Sequence, residues 1–141
     1  MIELILKYEG FREDAYQCSA GVWTIGYGTT FYPDNSQVKK GDKITKERAL
    51  ELVDWYCKNF IFFPKGDFSE DQKTALCSLI YNIGQRAFNR SKCRRAIEAK
   101  DWKTAYEEWN WISANGKVLN GLISRREKEK KLFFRGLYEP K

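Results

Sequence analysis

A glutamate, a cysteine and a threonine near the N-terminus have side chains and a spacing that could do chemistry. Glu9 is followed by eight residues and Cys18, and Cys18 is followed by five residues and Thr24. Glu9 takes the next position of the apolar stripe of a first predicted helix, and Gly10 follows as a helix stop. A carboxylate at the inward C-terminal end of a helix meets the negative end of the helix dipole and partial desolvation, and both favour its protonated form. We therefore expect Glu9 to act as a proton donor near neutral pH.

The residues after Glu9 change to a strand pattern. Aromatic and β-branched residues at 16–18 and 22–27, with a Ser-Ala-Gly turn between them, predict an antiparallel hairpin. A third short strand is predicted near 29–32. Gly26 and Gly28 leave one face of the second strand without side chains, which predicts close approach of a ligand to the backbone.

This region resembles the catalytic signature of the phage lysozymes, the endolysins of T-even and lambdoid phages. In that signature a glutamate is followed after eight residues by aspartate or cysteine, and after five more by threonine. The segment GVWTIGYGT at 21–29 and the distant GLISRR at 121–126 fit the same family, so the resemblance covers about residues 2–134. It implies an α+β, lysozyme-like fold, with a mostly helical lobe, a small antiparallel β lobe and a groove between them.

The resemblance implies an endolysin that hydrolyses the β-1,4 bond between N-acetylmuramic acid and N-acetylglucosamine in bacterial peptidoglycan. Glu9 would be the general acid, and Cys18 and Thr24 would serve the attacking water or nucleophile. Cys18 stands where the family most often has aspartate. Because a thiol is mostly uncharged at pH 7, three roles stay open for it: base, nucleophile or lining of the groove. Two side chains and a water need no metal or organic cofactor.

The resemblance also implies residues that support the groove and the acid. Three positions match substrate-binding residues of the family: Thr30, Tyr81 and Ser91. Their alternative roles are strand surface, core aromatic and helix cap, respectively. Arg125, or failing that Arg126, is expected to reach Glu9 and hold its orientation, and the alternative is an intrahelical pair such as Arg125 with Glu129.

The length of 141 residues predicts one compact domain, 1–141, with a β lobe at about 10–44 and a helical lobe at about 45–141 that includes the N-terminal helix. Capping residues mark the helix starts after the β lobe: Thr45, Ser69, Ser91 and Asp101. An Asn115-Gly116 turn precedes a final helix predicted to start at Leu122. These local signals agree with an α+β chain.

Composition limits the partners. The net charge of +6 favours an anionic polymer, and we expect that polymer to be peptidoglycan and not nucleic acid, because the basic clusters fit solvated helix faces. Four cysteines without a paired spacing, and no histidine, argue against a zinc site. We expect a monomer without stable membrane association, because no stretch approaches the roughly 20 apolar residues of a membrane span.

The route to the wall has two alternatives. The N-terminus lacks a signal-peptide pattern, so we expect synthesis in the host cytoplasm and release to the cell wall by a holin. The alternative is export by an N-terminal signal-anchor that is missing from this chain. Two other activities also fit the residues: a lytic transglycosylase acting on the same bond, and a non-catalytic peptidoglycan-binding module.

Overall fold

The computed structural model describes residues 1–141 as seven helices and four strands. Their bounds are α1 Glu3–Glu9, β1 Arg12–Gln17, β2 Trp23–Gly26, α2 Lys46–Phe60, α3 Glu70–Ile83, α4 Gln85–Asn89, α5 Lys92–Glu98, α6 Trp102–Glu108, β3 Ser113–Ala114, β4 Lys117–Val118 and α7 Asn120–Phe133. Strands β1 and β2 form one antiparallel pair, and β3 and β4 form another. The predicted α+β class is confirmed. None of the helices combines the length and the apolar character that crossing a bilayer requires.

The chain forms two compact units. One, here called the hairpin unit, comprises Ile2 and Leu4–Phe60, and the other, the helical unit, comprises Met1, Glu3 and Ile61–Lys141. The contacts therefore divide the chain at Phe60, whereas the sequence predicts a boundary near residue 44. Helix α2 groups with the hairpin because Ala49 of α2 packs closely against Gly26 of β2. A Cβ on Gly26 would lie only 3.0 Å from the Cβ of Ala49. The prediction of a single domain stays a prediction.

The chain turns back directly after β2. Ile25 and Thr29 each donate a backbone N–H to the carbonyl of the other, at 2.9 Å in both directions. Gly26 and Gly28 make this reversal with positive φ values of 63° and 99°. Glycine adopts such values readily, whereas residues with a Cβ disfavour them. The third strand predicted at 29–32 is therefore wrong: only isolated bridges form there. The bare backbone at Gly26 admits Ala49 of α2, not a ligand.

Aromatic packing fixes the loop after β2 onto α2. Thr45 caps α2, as predicted, by accepting a hydrogen bond from the backbone N–H of Arg48 at 3.1 Å. The ring of Phe31 makes T-shaped, edge-to-face contacts with three rings of the helix: Trp55, Tyr56 and Phe60, with centroids 5.6, 6.0 and 5.4 Å away. These contacts hold residues 30–38 against the helix.

Capping signals predicted the helices of the helical unit well. Ser69 and Gln72 form the expected capping box at α3, while Ser91 caps α5 and Asp101 caps α6. The predicted turn at Asn115-Gly116 has positive φ at both residues and joins the short strands β3 and β4. Helix α7 begins at Asn120, two positions before the predicted Leu122. Helix α4 was not predicted, because its five residues form a single short turn between Gly84, which ends α3, and Ser91, which caps α5.

A buried carboxylate, Glu129 of α7, ties the helical unit together. Arg126 lies 2.6 Å from it, Nε to Oε1, and Arg126 Nη2 donates to Oε2 at 2.8 Å. Ser78 of α3 donates to Glu129 Oε2 at 2.5 Å, and the indole N–H of Trp109 donates to Oε1 at 3.0 Å. Arg125 lies 3.5 Å away, so Glu129 pairs more closely with Arg126 than with the predicted partner Arg125.

We expect Glu129→Ala to lower the free energy of unfolding by about 3–5 kcal/mol, because it leaves the buried charge of Arg126 without its partner. Urea denaturation followed by circular dichroism measures the change. Glu127→Ala is the matched control, since Glu127 is exposed on the same helix. A loss for Glu129→Ala that is no larger than that of the control would contradict the structural role of this network.

Candidate active site

Glu9 is the last residue of α1, as predicted. Gly10 follows it with a φ of 71° and ends the helix. Ile5, one turn earlier, is fully buried, so Glu9 starts from the buried side of the helix and is itself half-buried. The apolar stripe differs in detail from the prediction, because Leu4 is buried beside Ile5 while Ile2 and Leu6 remain partly exposed.

Residues 18–22 connect β1 to β2: Cys18 and Val22 face each other, and residues 19–21 form a three-residue loop between them. The backbone N–H of Cys18 donates to the carbonyl of Val22 at 2.9 Å, and the N–H of Gly21 donates to the carbonyl of Cys18 at 2.8 Å. Gly21 has a φ of 79°, the left-handed conformation that closes a three-residue hairpin loop. The predicted Ser-Ala-Gly turn is thereby confirmed.

The register of the hairpin places Cys18 and Thr24 on one face. Tyr16 lies opposite Thr24, and Cys18 lies opposite Val22 through the hydrogen bond described above. Residues directly opposite each other share a face of an antiparallel pair, and so do residues two apart along a strand. Cys18 is consequently the diagonal neighbour of Thr24. The spacing of five residues between them is what a three-residue loop and one diagonal step require.

Hydrogen-bond donors surround the thiol of Cys18. The backbone N–H groups of Val22 and Ala20, followed by the hydroxyl of Thr24, lower the pKa of the thiol because they stabilise the thiolate. The side chain is partly exposed, so it remains accessible. A larger thiolate fraction at neutral pH makes Cys18 a better base or nucleophile than an ordinary cysteine.

Thr24 is buried, with 5% of its surface exposed, and its hydroxyl donates to the carbonyl of Val22 at 3.0 Å. A hydroxyl carries one proton, so it cannot donate to this carbonyl and to the sulfur of Cys18 at once. The hydroxyl can therefore add to the stabilisation of the thiolate by the Val22 and Ala20 amides only if it rotates from the carbonyl of Val22 toward Cys18. Thr24 couples the charge of the thiol to the conformation of its own side chain.

A cavity of about 560 Å³ opens beside this loop in the hairpin unit. Its walls are Gly21, Val22, Trp23, Thr30, Phe31, Asn35, Gln37 and Val38. Thr30 is the one predicted substrate-binding residue among them. Trp23 and Gln37 also line the cavity but were not predicted as site residues. The sequence does carry a signal for Trp23, which is an aromatic residue next to Thr24 on the same strand. Gln37 reaches the cavity through a β-bridge to Phe31, for which the sequence has no local signal.

The other predicted site residues lie in the helical unit. Tyr81 is half-buried on α3. Ser91 caps α5, since its hydroxyl accepts from the N–H of Arg94 at 3.0 Å and donates to the carbonyl of Phe88 at 2.6 Å. Arg125 is buried and donates twice to Ser78, from Nε to the hydroxyl and from Nη2 to the carbonyl, at 3.0 Å each. The roles of these three residues in substrate binding and in positioning Glu9 stay predictions.

Comparison with known proteins decides the family. The model of the family described as Phage lysozyme matches residues 6–129. The chain belongs to the phage lysozyme family. As a phage lysozyme the protein is a glycoside hydrolase that acts on bacterial peptidoglycan, which confirms the predicted class of enzyme and of substrate.

Similar proteins cover nearly the whole chain. An endolysin of Acyrthosiphon pisum secondary endosymbiont phage 1 is 39% identical over an alignment of 142 positions, gaps included, that covers 92% of this chain and 92% of that relative. A SAR-endolysin of Escherichia phage P1 is 34% identical, over 96% of this chain and 80% of that relative. The solved structure of an endolysin from Escherichia coli O157:H7 phage FAHEc1 has a TM-score of 0.80 at 31% identity and covers 98% of this chain and 92% of that one. The lysozyme-like fold predicted from the sequence is confirmed.

We expect Cys18 to be alkylated by iodoacetamide much faster than the other cysteines, with a rate that rises with pH through a midpoint below the ordinary value of about 8.5. The lowered pKa of Cys18 predicts this direction. Cys57, Cys77 and Cys93 are buried and serve as internal controls, and burial raises the pKa of Cys93 to about 12. Peptide mass mapping over a pH series measures the rates. Equal labelling of all four cysteines in the native protein would contradict this assignment.

We expect Thr24→Val to shift the alkylation midpoint of Cys18 to higher pH, because the variant lacks the hydroxyl that stabilises the thiolate. It should also slow peptidoglycan turnover while the protein stays folded. Thr30→Val, which alters a hydroxyl that is not among the donors to the thiol, is the matched control for the midpoint. An unchanged midpoint in Thr24→Val would remove the role of the hydroxyl.

Proposed function

We propose that the enzyme is an endolysin that hydrolyses the β-1,4 bond between N-acetylmuramic acid and N-acetylglucosamine. Glu9 is the general acid, Cys18 is the base and Thr24 orients the water. The observation that supports this assignment is the thiol of Cys18, whose pKa is lowered by the loop amides and by Thr24 within the same hairpin unit as Glu9. Glycoside cleavage requires an acid and a second group of this kind.

In this mechanism the carboxyl proton of Glu9 moves to the glycosidic oxygen as the bond from that oxygen to the sugar carbon breaks. Positive charge develops on the sugar ring, and the thiolate of Cys18 stabilises it. A water held by the Thr24 hydroxyl attacks the carbon and gives its proton to Cys18. The products are a reducing muramic end and a free hydroxyl. Glu9 regains a proton and Cys18 loses one to solvent, so the enzyme returns to its starting state.

Further residues are proposed to position the substrate and the acid. Thr30 is assigned to substrate binding because it lines the cavity beside the catalytic loop. Tyr81 and Ser91 are assigned to the same role from the family resemblance. Arg125 is proposed to orient Glu9; the two hydrogen bonds to Ser78 that fix its guanidinium support a positioning role.

The proposed setting is the lysis of a bacterial host by a monomeric enzyme that needs no cofactor and no nucleic acid. The net charge of +6 fits an anionic wall polymer. Synthesis in the host cytoplasm and release by a holin is the proposed route. Export by a signal-anchor is the second proposed route, and the similarity to a SAR-endolysin of Escherichia phage P1 supports it.

Fragments released from purified peptidoglycan test the proposal. We expect soluble fragments with reducing muramic ends from the wild type, and a rate lower by about 10²–10⁴-fold for Glu9→Gln, which removes the acid. Mass spectrometry before and after borohydride reduction identifies the ends. Glu13→Gln is the matched control, because Glu13 is an exposed carboxylate on the neighbouring strand β1.

Two results would contradict the proposal. Fragments lighter by one water, which resist reduction, would make the enzyme a lytic transglycosylase. Binding to the wall without any fragments would make the chain a peptidoglycan-binding module.

A further inference from the structure

A second cavity lies in the helical unit, at residues that the catalytic proposal does not use. It consists of two adjoining spaces of about 330 and 820 Å³. Both are lined by Tyr106 of α6, Lys130 of α7, and the C-terminal residues Tyr138, Glu139 and Pro140. Together they form one concave surface, here called the C-terminal cavity, large enough for one or two sugar rings with substituents.

Aromatic rings form one wall of the C-terminal cavity. Tyr106 packs against Phe134 and Tyr138, with centroids 5.2 and 5.3 Å away. Phe134 is buried beneath the surface, whereas Tyr106 and Tyr138 are partly exposed. Tyrosine rings that are held by their neighbours combine an apolar face with a polar hydroxyl, which suits the C–H face and the hydroxyl rim of a pyranose.

Lys130 brings a charge that the protein does not pair. Its ammonium lies 4.3 Å from the centroid of the Tyr106 ring, and it has neither an ion pair within 4.0 Å nor a side-chain hydrogen bond. Burial lowers its pKa, opposed by the more distant carboxylates of Glu127 and Glu129. The ammonium has therefore lost part of its hydration, and no carboxylate lies in contact with it. A carboxylate entering the cavity would replace the lost hydration with a charge-assisted hydrogen bond.

The remaining charges of the cavity are mixed. Basic and acidic side chains both line it: Lys103, Lys131, Arg135 and Lys141, with Glu107, Glu127 and Glu139. A polyanion such as nucleic acid would meet the three carboxylates at the same time as the lysines, which weakens its binding. A glycan with few charges and many hydroxyls fits better, because carboxylates accept hydrogen bonds from hydroxyls.

We infer that the C-terminal cavity binds a second segment of the peptidoglycan strand, with a saccharide on Tyr106 and Tyr138 and a carboxylate of the stem peptide on Lys130. The inference rests on the proposed function for the identity of the polymer. Because the cavity is built from residues other than the proposed catalytic ones, its effect is on retention of the polymer and not on bond cleavage. A second attachment raises the effective concentration of the strand at the enzyme.

Co-sedimentation with purified sacculi tests this inference. The Glu9→Gln variant of the full chain serves as the parent, so that the polymer stays intact during the measurement. Lys130→Met is compared with Lys128→Met, which removes the same charge from an exposed position of the same helix. Tyr138→Ser probes the ring. Each variant is measured on intact sacculi and on insoluble chitin, a polymer of N-acetylglucosamine without carboxylates or stem peptides, and its thermal midpoint checks that it is folded.

We expect Lys130→Met to weaken binding to intact sacculi by about tenfold, the value of one charge-assisted hydrogen bond, and to leave binding to chitin unchanged. Tyr138→Ser should weaken binding to both polymers, because the ring contacts the sugar. Equal affinity of Lys130→Met and Lys128→Met for intact sacculi would overturn the inference. An equal loss on both polymers for Lys130→Met would overturn the assignment of the carboxylate. These outcomes are separate from the catalytic proposal, which fails only if the wild type releases no reducing fragments.

Discussion

The fully buried carboxylate of Glu129 organises the helical unit. Glu129 has no exposed surface, and the cost of burying a carboxylate is offset only if every oxygen is paired. Arg126, Ser78 and Trp109 supply those partners from α7, α3 and the segment after α6. Each partner accepts only a narrow range of distances and angles. The network therefore fixes which turn of α7 faces which turn of α3, a register that apolar contacts alone specify less sharply.

The same network fixes the orientation of the Arg125 side chain. Its guanidinium is buried and held by the hydroxyl and the carbonyl of Ser78, the residue that also donates to Glu129. Ser78 thus bridges the carboxylate to a second arginine and restrains the arginine's rotamers. A side chain with little freedom left is suited to orienting a reactive group, because it loses little entropy when it does so. A structural requirement of the core and a positioning role for Arg125 are compatible for this reason.

Local signals in the sequence predicted the parts of the structure that local chemistry decides. Glu9 ends α1 because a glycine follows it, and Ser69 starts α3 because its hydroxyl satisfies a backbone N–H of the first turn. The third strand was predicted from composition and failed, because Gly26 and Gly28 reverse the chain. Trp109 as a partner of Glu129 was not predictable, since twenty residues separate them and no periodic pattern links the two. The family resemblance supplied the predicted site residues, and the register of the hairpin explains the spacing between Cys18 and Thr24.

A cysteine at position 18, where the family most often has aspartate, changes the electrostatics of the hairpin loop, and the loop itself compensates for the change. An aspartate, with an ordinary pKa near 3.9, would carry its charge at neutral pH without assistance, whereas a thiol near 8.5 needs stabilisation of the thiolate. The loop supplies the amides of Val22 and Ala20, which are held in place by the turn that Gly21 closes. Thr24 adds a donor that must leave the carbonyl of Val22 to act. The negative charge on Cys18 therefore depends on the backbone geometry of the loop, which positions the amides, and on the orientation of the Thr24 hydroxyl.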